Sequence, residues 1–264
     1  AEQMNNVLYT RTSGQGPDVI LLHGLFGQGG NLRSVARVLE TDFRVHCLDL
    51  PDHGRSPWLA EASLASYAAA MCDWMDQHEL ASAHILGHSL GGKVAMELAL
   101  TEPGRADTLV VADIAPVTYA EHHQVILDAL QQVAARGCQT RAEAEALLGE
   151  IIDDPGMVGY LLMSLERGAG GEVYQWRFNL AGLADAYGRL REAPSSEAAP
   201  FQGRTLFLKG SESAYIQTSH ELEIRSRFPS SQIVTVHEAG HWLHIDQPDQ
   251  FNGAVQAFLL AEAG

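Results

Sequence analysis

The sequence predicts an α/β fold in which helices flank a mostly parallel central sheet. Three observations carry this prediction. Short apolar runs alternate with stretches of helical periodicity, one apolar run leads through a glycine-flanked serine into a helix, and the alternation then stops for a long helical segment. Strands that alternate with helices are typical of βαβ units, whose strands are parallel.

Six apolar runs predict the strands, because each is short and rich in Val, Ile or Leu and most are bounded by turn residues. They cover residues 19–22, 44–49, 83–86, 108–113, 204–209 and 232–237. Helices are predicted at about 63–78, 89–100 and 248–262 from their apolar periodicity.

The alternation breaks between about Pro116 and Pro200, where the pattern is helical throughout and no strand is predicted. A segment of this length is too long for a single crossover between strands. We therefore expect a core domain of residues 1–116 and 201–264. Residues 117–200 would form a helical cap, inserted after the strand that ends near Asp113.

Ser89 is the first candidate for chemistry, because it lies between Gly87 and Gly91 at the junction of a predicted strand and helix. Strand, Gly-x-Ser-x-Gly and helix together form a nucleophile elbow, a strained turn that exposes the serine hydroxyl. The helix that follows points its free N–H groups at the space above the serine. A serine that only capped this helix would not require both glycines.

A serine nucleophile needs a base, and His241 is the candidate because "HEAGHW" follows the last predicted strand. The expected oxyanion donors are the backbone N–H groups of Leu90, directly after the nucleophile, and of Leu25. The pair His122 and His123 has no carboxylate or cysteine at ligand spacing, so no metal is expected. The proposed chemistry requires no organic cofactor either.

Several motifs together resemble the α/β-hydrolase superfamily and, within it, the YbfF-type bacterial esterases, whose eukaryotic relatives are abhydrolase-domain proteins. The motifs are "HGLFG", "DLPDHGRS", "GHSLGGK", "VVADIAPV", "WRFNL" and "EAGHW". The resemblance covers nearly the whole chain and implies an α/β-hydrolase fold with a serine nucleophile. The segments "DIAPV" and "WRFNL" are the narrower part of the match.

Two carboxylates are candidates for the acid that orients the histidine. Asp113 ends "TLVVAD", and Glu212 lies in "KGSESAY" after a later strand. The resemblance favours Asp113, because the YbfF-type family places its acid in the "DIAP" segment. Ser213 matches a family serine near the later position, and it would either hydrogen-bond the histidine–acid pair or cap a turn. Glu212 remains the rival acid.

The substrate pocket is expected to draw on residues around these motifs and on aromatic residues of the cap. His23 would alternatively brace the loop of the oxyanion donors, and Arg177 would either hold a substrate anion or pair with a carboxylate. The candidates are His23, Phe26, His88, Tyr119, Trp176, Arg177, Phe178, Ser213 and Trp242.

Net charge and composition limit the classes of molecule that the protein is expected to bind. The chain carries 33 acidic and 17 basic residues, a net charge of −16, which disfavours nucleic acid and anionic membranes. The sequence contains no long apolar stretch and no signal-peptide pattern at its start. The three cysteines are far apart, as in a reduced compartment. We expect a cytoplasmic monomer or small homo-oligomer.

These observations predict a serine carboxylic-ester hydrolase that acts on small to medium acyl esters through an acyl-enzyme. Ser89 argues against dehalogenases and epoxide hydrolases, which resemble one another in using an aspartate nucleophile. Acyl-CoA thioesterases, carbon–carbon hydrolases and perhydrolases share the same three residue types and stay open as alternatives. A receptor-like member that only binds its ligand is a further alternative.

Overall fold

The computed structural model describes residues 7–195 and 197–261. Its strands are, in chain order, β1 (Thr10–Ser13), β2 (Asp18–Leu22), β3 (Arg44–Leu48), β4 (Ala83–His88), β5 (Ala106–Ala112), β6 (Leu165–Arg167), β7 (Tyr174–Trp176), β8 (Thr205–Gly210) and β9 (Ser231–Val236). Its helices are α1 (Arg33–Leu39), α2 (Leu64–Gln77), α3 (Leu90–Thr101), α4 (Gln124–Arg136), α5 (Arg141–Ile151), α6 (Pro155–Leu162), α7 (Leu180–Leu190), α8 (Glu221–Arg227), α9 (Leu243–Asp246) and α10 (Pro248–Leu260).

Within the described residues, seven strands form the central sheet in the order β1-β3-β2-β4-β5-β8-β9. All neighbouring strands are parallel except β1, which pairs antiparallel with β3 at one edge. The strand order reverses direction around β2 and β4. In open α/β sheets, ligand sites lie beyond the carboxyl ends of the strands at such a point.

Both faces of the sheet are covered, which explains why its central strands are apolar throughout. Along β2, Ile20 and Leu22 pack on the side of α2 and α3, whereas Val19 and Leu21 pack on the side of α1 and α10. Successive side chains of a strand point to opposite faces, so a strand that is buried on both sides has no polar alternation. The predicted mostly parallel sheet flanked by helices is confirmed.

The prediction missed one edge strand and three short helices. β1 has the sequence TRTS, whose two central residues are exposed, so it lacks the apolar run that identified the other strands. Helices α1 and α8 each have seven residues and α9 has four, which is too few for a clear periodic pattern. The last helix was predicted to about Glu262, but α10 ends at Leu260 and Glu262 lies outside the described residues.

The segment between β5 and β8 holds α4 to α7 and also a hairpin. The prediction that this segment is helical throughout was wrong, because β6 and β7 pair antiparallel within it. Each strand of the hairpin has only three residues, so the periodicity of the flanking helices masked it. None of the helices in residues 7–195 and 197–261 combines the length and the apolar character needed to cross a membrane.

Candidate active site

Ser89 lies in the turn between β4 and α3, with backbone angles φ 55° and ψ −118°. A residue with a Cβ rarely adopts a positive φ, so this turn is strained. The flanking glycines are required by close backbone contacts. A Cβ at Gly87 would lie 2.1 Å from the carbonyl oxygen of Gly91, and a Cβ at Gly91 would lie 2.3 Å from that of Leu22. The elbow therefore packs backbone against backbone.

Three side chains from separate loops form a hydrogen-bonded chain at the carboxyl ends of the strands. Ser89 Oγ lies 3.0 Å from His241 Nε2, and His241 Nδ1 lies 2.7 Å from Asp113 Oδ2. Asp113 follows β5 and is fully buried, while His241 lies in the loop after β9. A buried carboxylate at Nδ1 places the imidazole proton there and leaves Nε2 free to accept one from the serine.

The structure places Asp113, and not Glu212, against the histidine. Asp113 Oδ1 also accepts a hydrogen bond from the Gly210 amide at 3.0 Å, and Oδ2 accepts one from the Ser213 hydroxyl. Glu212 is exposed, and its carboxylate has no hydrogen-bond partner among the described residues. Its backbone amide donates to the Ala239 carbonyl at 2.8 Å. This bond joins the loop of Glu212 to the loop that carries His241, but it does not involve the Glu212 carboxylate.

The amides of Leu25 and Leu90 have no hydrogen-bond acceptor among the described residues. The Leu90 amide opens α3, so it is one of the N–H groups that a helix leaves unpaired at its start. The Leu25 amide belongs to the loop after β2, residues 23–29, which we call the β2 loop. Leu25 and Leu90 both line the cavity described next. An oxyanion beside Ser89 would meet both donors.

A cavity of about 760 Å³, partly open to solvent, adjoins Ser89 and His241. Its lining is mostly apolar, with contributions from the core and from helices α4, α6 and α7. Among the predicted pocket residues, Phe26, His88, Tyr119 and Trp242 line it. The rest of the lining is Gly24, Leu25, Leu90, Lys93, Ile114, His122, His123, Ile126, Met157, Tyr160, Tyr187, Leu190, Arg191 and Tyr215.

Five of the predicted pocket residues do not line the cavity. His23 is buried and braces the β2 loop, since its Nδ1 donates to the Gly24 carbonyl and its Nε2 accepts from the Leu50 amide. Burial lowers its pKa to about 4, so it stays neutral. Ser213 instead contacts the acid, and it also accepts a hydrogen bond from the Tyr215 amide at 3.2 Å.

The other three belong to "WRFNL", which joins the hairpin to the core. Trp176 donates to the Leu130 carbonyl at 2.9 Å and stacks on Phe178. Phe178 pairs its backbone with His53 of the core. Arg177 forms an ion pair with Glu166 across the hairpin, so its charge is compensated within the inserted segment. The segment is extended between the end of β7 and the start of α7, with a single bridge to the core at Phe178, and not helical as predicted.

His88, the residue before the nucleophile, contacts the backbone of the candidate base. Its Nε2 donates to the His241 carbonyl at 2.7 Å, and its ring lies 4.8 Å from the rings of both His241 and His244. Burial, followed by the neighbouring histidines, holds the pKa of His88 well below its usual range. His88 is therefore a neutral donor that fixes the loop carrying His241.

Sequence reasoning missed Tyr215, whose ring stacks on that of His241 with centroids 4.0 Å apart and planes 21° apart. Its hydroxyl hydrogen-bonds to His122 Nε2 at 3.0 Å, and His123 Nδ1 bonds to the Tyr187 hydroxyl at 2.7 Å. Tyr215 lies in a loop without periodicity, so only its position two residues after Ser213 could have drawn attention to it.

No group of three or more metal-binding side chains occurs in the part of the chain that the structure describes.

Lys93 and Glu97, one turn apart on α3, hold the ends of the inserted segment. The buried Lys93 ammonium donates to the carbonyls of Val117, Arg191 and Glu192 at 2.6, 3.1 and 2.5 Å. Glu97 is also buried, and its carboxylate accepts from both the amide and the hydroxyl of Ser195. Burial lowers the pKa of Lys93 to about 7, against the attraction of Glu192.

The chain is similar to several known proteins over most of its length. The sequence pattern of the alpha/beta hydrolase family matches residues 19–254. The chain is 38% identical to the sn-1-specific diacylglycerol lipase ABHD11 of Mus musculus, over 92% of this chain and 81% of the mouse protein. It is 32% identical to the esterase YbfF of Escherichia coli K12, over 91% of this chain and 92% of that protein. A solved marine microorganism esterase superposes with a TM-score of 0.92 at 34% identity, covering 96% of this chain and all of the other.

Proposed function

Because this chain belongs to the alpha/beta hydrolase family, we propose that it is a serine carboxylic-ester hydrolase. The observation that carries the proposal is the unbroken chain of hydrogen bonds from Ser89 through His241 to Asp113, which opens on an apolar cavity. The triad is recognised by geometry and by the role of each group, and this arrangement fits acyl transfer.

The first half of the proposed reaction forms an acyl-enzyme. Ser89 Oγ attacks the ester carbonyl carbon while His241 Nε2 takes the hydroxyl proton. The carbonyl oxygen becomes an oxyanion and accepts hydrogen bonds from the amides of Leu25 and Leu90. Asp113, through Nδ1, stabilises the imidazolium without taking the proton itself. The imidazolium then protonates the departing alcohol oxygen as the carbon–oxygen bond breaks.

The second half repeats these steps with water. His241 Nε2 removes a proton from a water molecule, whose oxygen attacks the acyl carbon. The second oxyanion accepts hydrogen bonds from the same two amides. When it collapses, the bond between the acyl carbon and Ser89 Oγ breaks, the His241 imidazolium returns its proton to Oγ, and the carboxylic acid is released. Loss of one oxyanion donor typically costs about 3–4 kcal/mol of transition-state stabilisation, so both amides matter.

The cavity supports small to medium acyl esters as substrates. Its lining is mostly apolar and includes a few polar groups beside Ser89, as is usual for small-molecule sites. We propose that residues 117–200 act as a cap, because α4, α6 and α7 supply part of this lining. The core, residues 1–116 and 201–264, would supply the three reacting side chains.

The test is hydrolysis of p-nitrophenyl esters from acetate to dodecanoate by the wild type, Ser89→Ala and a control, Ser34→Ala. Ser34 is an exposed serine of α1. The wild type and Ser34→Ala should turn over the shorter esters, and Ser89→Ala should not. A fluorophosphonate should label the wild type on Ser89 alone. Equal turnover by Ser89→Ala, or labelling elsewhere, would refute the proposal.

The same panel separates the alternatives. It should include a matched acyl thioester and a diacylglycerol, because the mouse relative is named a diacylglycerol lipase. The strongly acidic chain, with a net charge of −16, offers little attraction for a polyphosphate such as coenzyme A. We expect a higher kcat/KM for the oxygen ester. A preference for the thioester would reassign the substrate class.

A cytoplasmic location and a monomer or small homo-oligomer belong to the same proposal. Cys47, Cys72 and Cys138 are free, as in a reducing compartment. Fractionation of the host cell and size-exclusion chromatography with light scattering test these two statements. Recovery outside the cytoplasm, or a large assembly, would contradict them.

A further inference from the structure

We propose that Tyr160 is a positioning residue through which the cap completes the oxyanion hole. Its hydroxyl holds the peptide next to the Leu25 amide, so the hole is fully ordered only when the cap, residues 117–200, is seated on the β2 loop. This inference rests on the proposed function. It adds a role for the cap beyond lining the cavity.

The amide of Leu25 differs from its neighbours in the β2 loop. The next four amides all have acceptors within the chain, whereas the Leu25 amide has none among residues 7–195 and 197–261. The four bonds are Phe26 to His53 Nε2, Gly27 to the Gly24 carbonyl, Gln28 to Asn31 Oδ1 and Gly29 to Asp49 Oδ1. The loop is therefore arranged so that one donor is left for a ligand.

The carbonyls of the same loop are divided between the core and the cap. The core holds the Gly24 carbonyl, through His23 Nδ1 at 2.8 Å. The cap holds the next two, since the Tyr160 hydroxyl donates to the Leu25 carbonyl at 2.9 Å and the Ser164 hydroxyl to the Phe26 carbonyl at 2.7 Å. Without the cap, both carbonyls lose these partners.

The backbone at Phe26 makes these contacts matter. Phe26 has φ 65°, a conformation that a bulky residue rarely adopts. Strain of this kind persists only where the surroundings fix the backbone. His53 fixes the amide of the Leu25–Phe26 peptide, and Tyr160 fixes its carbonyl. If one of these bonds is lost, the loop can relax toward a less strained backbone. The Leu25 amide would then no longer point at the position of the oxyanion.

The approach of Tyr160 is built into the loop. A Cβ at Gly27 would lie 2.5 Å from the Tyr160 hydroxyl oxygen, and a Cβ at Gly24 would lie 3.3 Å from it. The absence of side chains at both positions leaves room for the phenol. Burial raises the pKa of Tyr160, so the hydroxyl keeps its proton and remains a donor near neutral pH.

The experiment compares Tyr160→Phe, Ser164→Ala and the double variant with a control, Trp176→Phe. The control also removes one side-chain hydrogen bond to a carbonyl, but that carbonyl belongs to Leu130 within the cap. Three quantities are measured: kcat, KM for a p-nitrophenyl ester, and the inhibition constant of phenylboronic acid. The boronate adduct of a serine places an oxygen where the oxyanion forms, so it reports on the hole itself.

Tyr160→Phe should lower kcat about tenfold, and the double variant about a hundredfold, since a misplaced oxyanion donor acts in the transition state. KM should change little, because the phenyl ring still lines the cavity. Inhibition by the boronic acid should weaken by about the same factor as kcat. Trp176→Phe should leave kcat and the inhibition constant unchanged.

A purely structural role would give a different result. Tyr160→Phe would then lower the melting temperature, with kcat and boronic acid inhibition at the wild-type values, and the inference would be overturned. Ser164→Ala gives an independent test if Tyr160→Phe does not fold. Turnover by the wild type and its loss in Ser89→Ala establish the proposed function first, so a normal Tyr160→Phe would remove only this inference.

Discussion

Replacing Asp113 by Asn should lower kcat by about four orders of magnitude, and the hydrogen bonds of the carboxylate explain why. Oδ1 accepts from the Gly210 amide, and Oδ2 accepts from both His241 Nδ1 and the Ser213 hydroxyl. The carboxylate therefore faces three donors. An Asn side chain has only one acceptor oxygen, so its NH₂ group must face a donor in either orientation.

One orientation of the Asn side chain can be accommodated. With the NH₂ group at the Oδ1 position, it would face the Gly210 amide, which cannot turn away. At the Oδ2 position it would donate to His241 Nδ1, while the Ser213 hydroxyl rotates to accept. The imidazole proton would then lie on Nε2, which could no longer take a proton from Ser89. The same change in the Ser-His-Asp proteases costs about 10⁴ in kcat, or roughly 5.5 kcal/mol.

The assay is single-substrate kinetics with a short p-nitrophenyl ester, and Glu212→Gln is the matched control. Glu212 is exposed and its carboxylate has no partner among the described residues, so kcat should stay within about twofold. KM should be similar in both variants, because neither side chain lines the cavity. A large loss in Glu212→Gln together with a nearly normal Asp113→Asn would refute the reasoning and transfer the acid's role.

Two further predictions test the surroundings of the site. Ser213→Ala removes a hydrogen bond to the charged Asp113, so kcat should fall about tenfold with KM unchanged; a loss as large as that of Asp113→Asn would contradict this supporting role. His244 is buried, and burial lowers its pKa to about 4. Between this pKa and the unfolded pKa of about 6.5, only the unfolded chain takes up the proton. The free energy of unfolding therefore decreases as the pH is lowered, by about 2 kcal/mol between pH 6.5 and pH 5. Urea unfolding at pH 7 and pH 5 should show this extra loss in the wild type but not in His244→Phe, and equal losses would contradict it.

The sequence predicted those parts of the fold that carry a strong local pattern. The central strands are buried on both faces, so each reads as a continuous apolar run, and α2 and α3 show clear helical periodicity. Edge strand β1 and the hairpin β6–β7 are short and partly exposed, so their pairing is set by tertiary contacts and not by their composition. "WRFNL" was read as helix for the same reason.

The sequence likewise predicted only some of the residues of the candidate site. Ser89, His241 and the amides of Leu25 and Leu90 were predicted because each lies at a fixed place relative to a strand end, and all four residues line one cavity in the structure. The choice between Asp113 and Glu212 could not be made from spacing alone, since each follows a strand. The stacking of Tyr215 on His241 and the contact of Tyr160 with the β2 loop join segments that are distant in the sequence, so no local pattern predicts them.

The bonds that Lys93 and Glu97 make have a consequence for engineering. Excising residues 117–200 and joining the ends would remove every hydrogen-bond partner that the Lys93 ammonium and the Glu97 carboxylate have among the described residues. An uncompensated buried charge costs several kcal/mol. Residues 117–200 are therefore not a detachable segment, and we expect a shortened chain to need apolar replacements at both positions before the rest could fold alone.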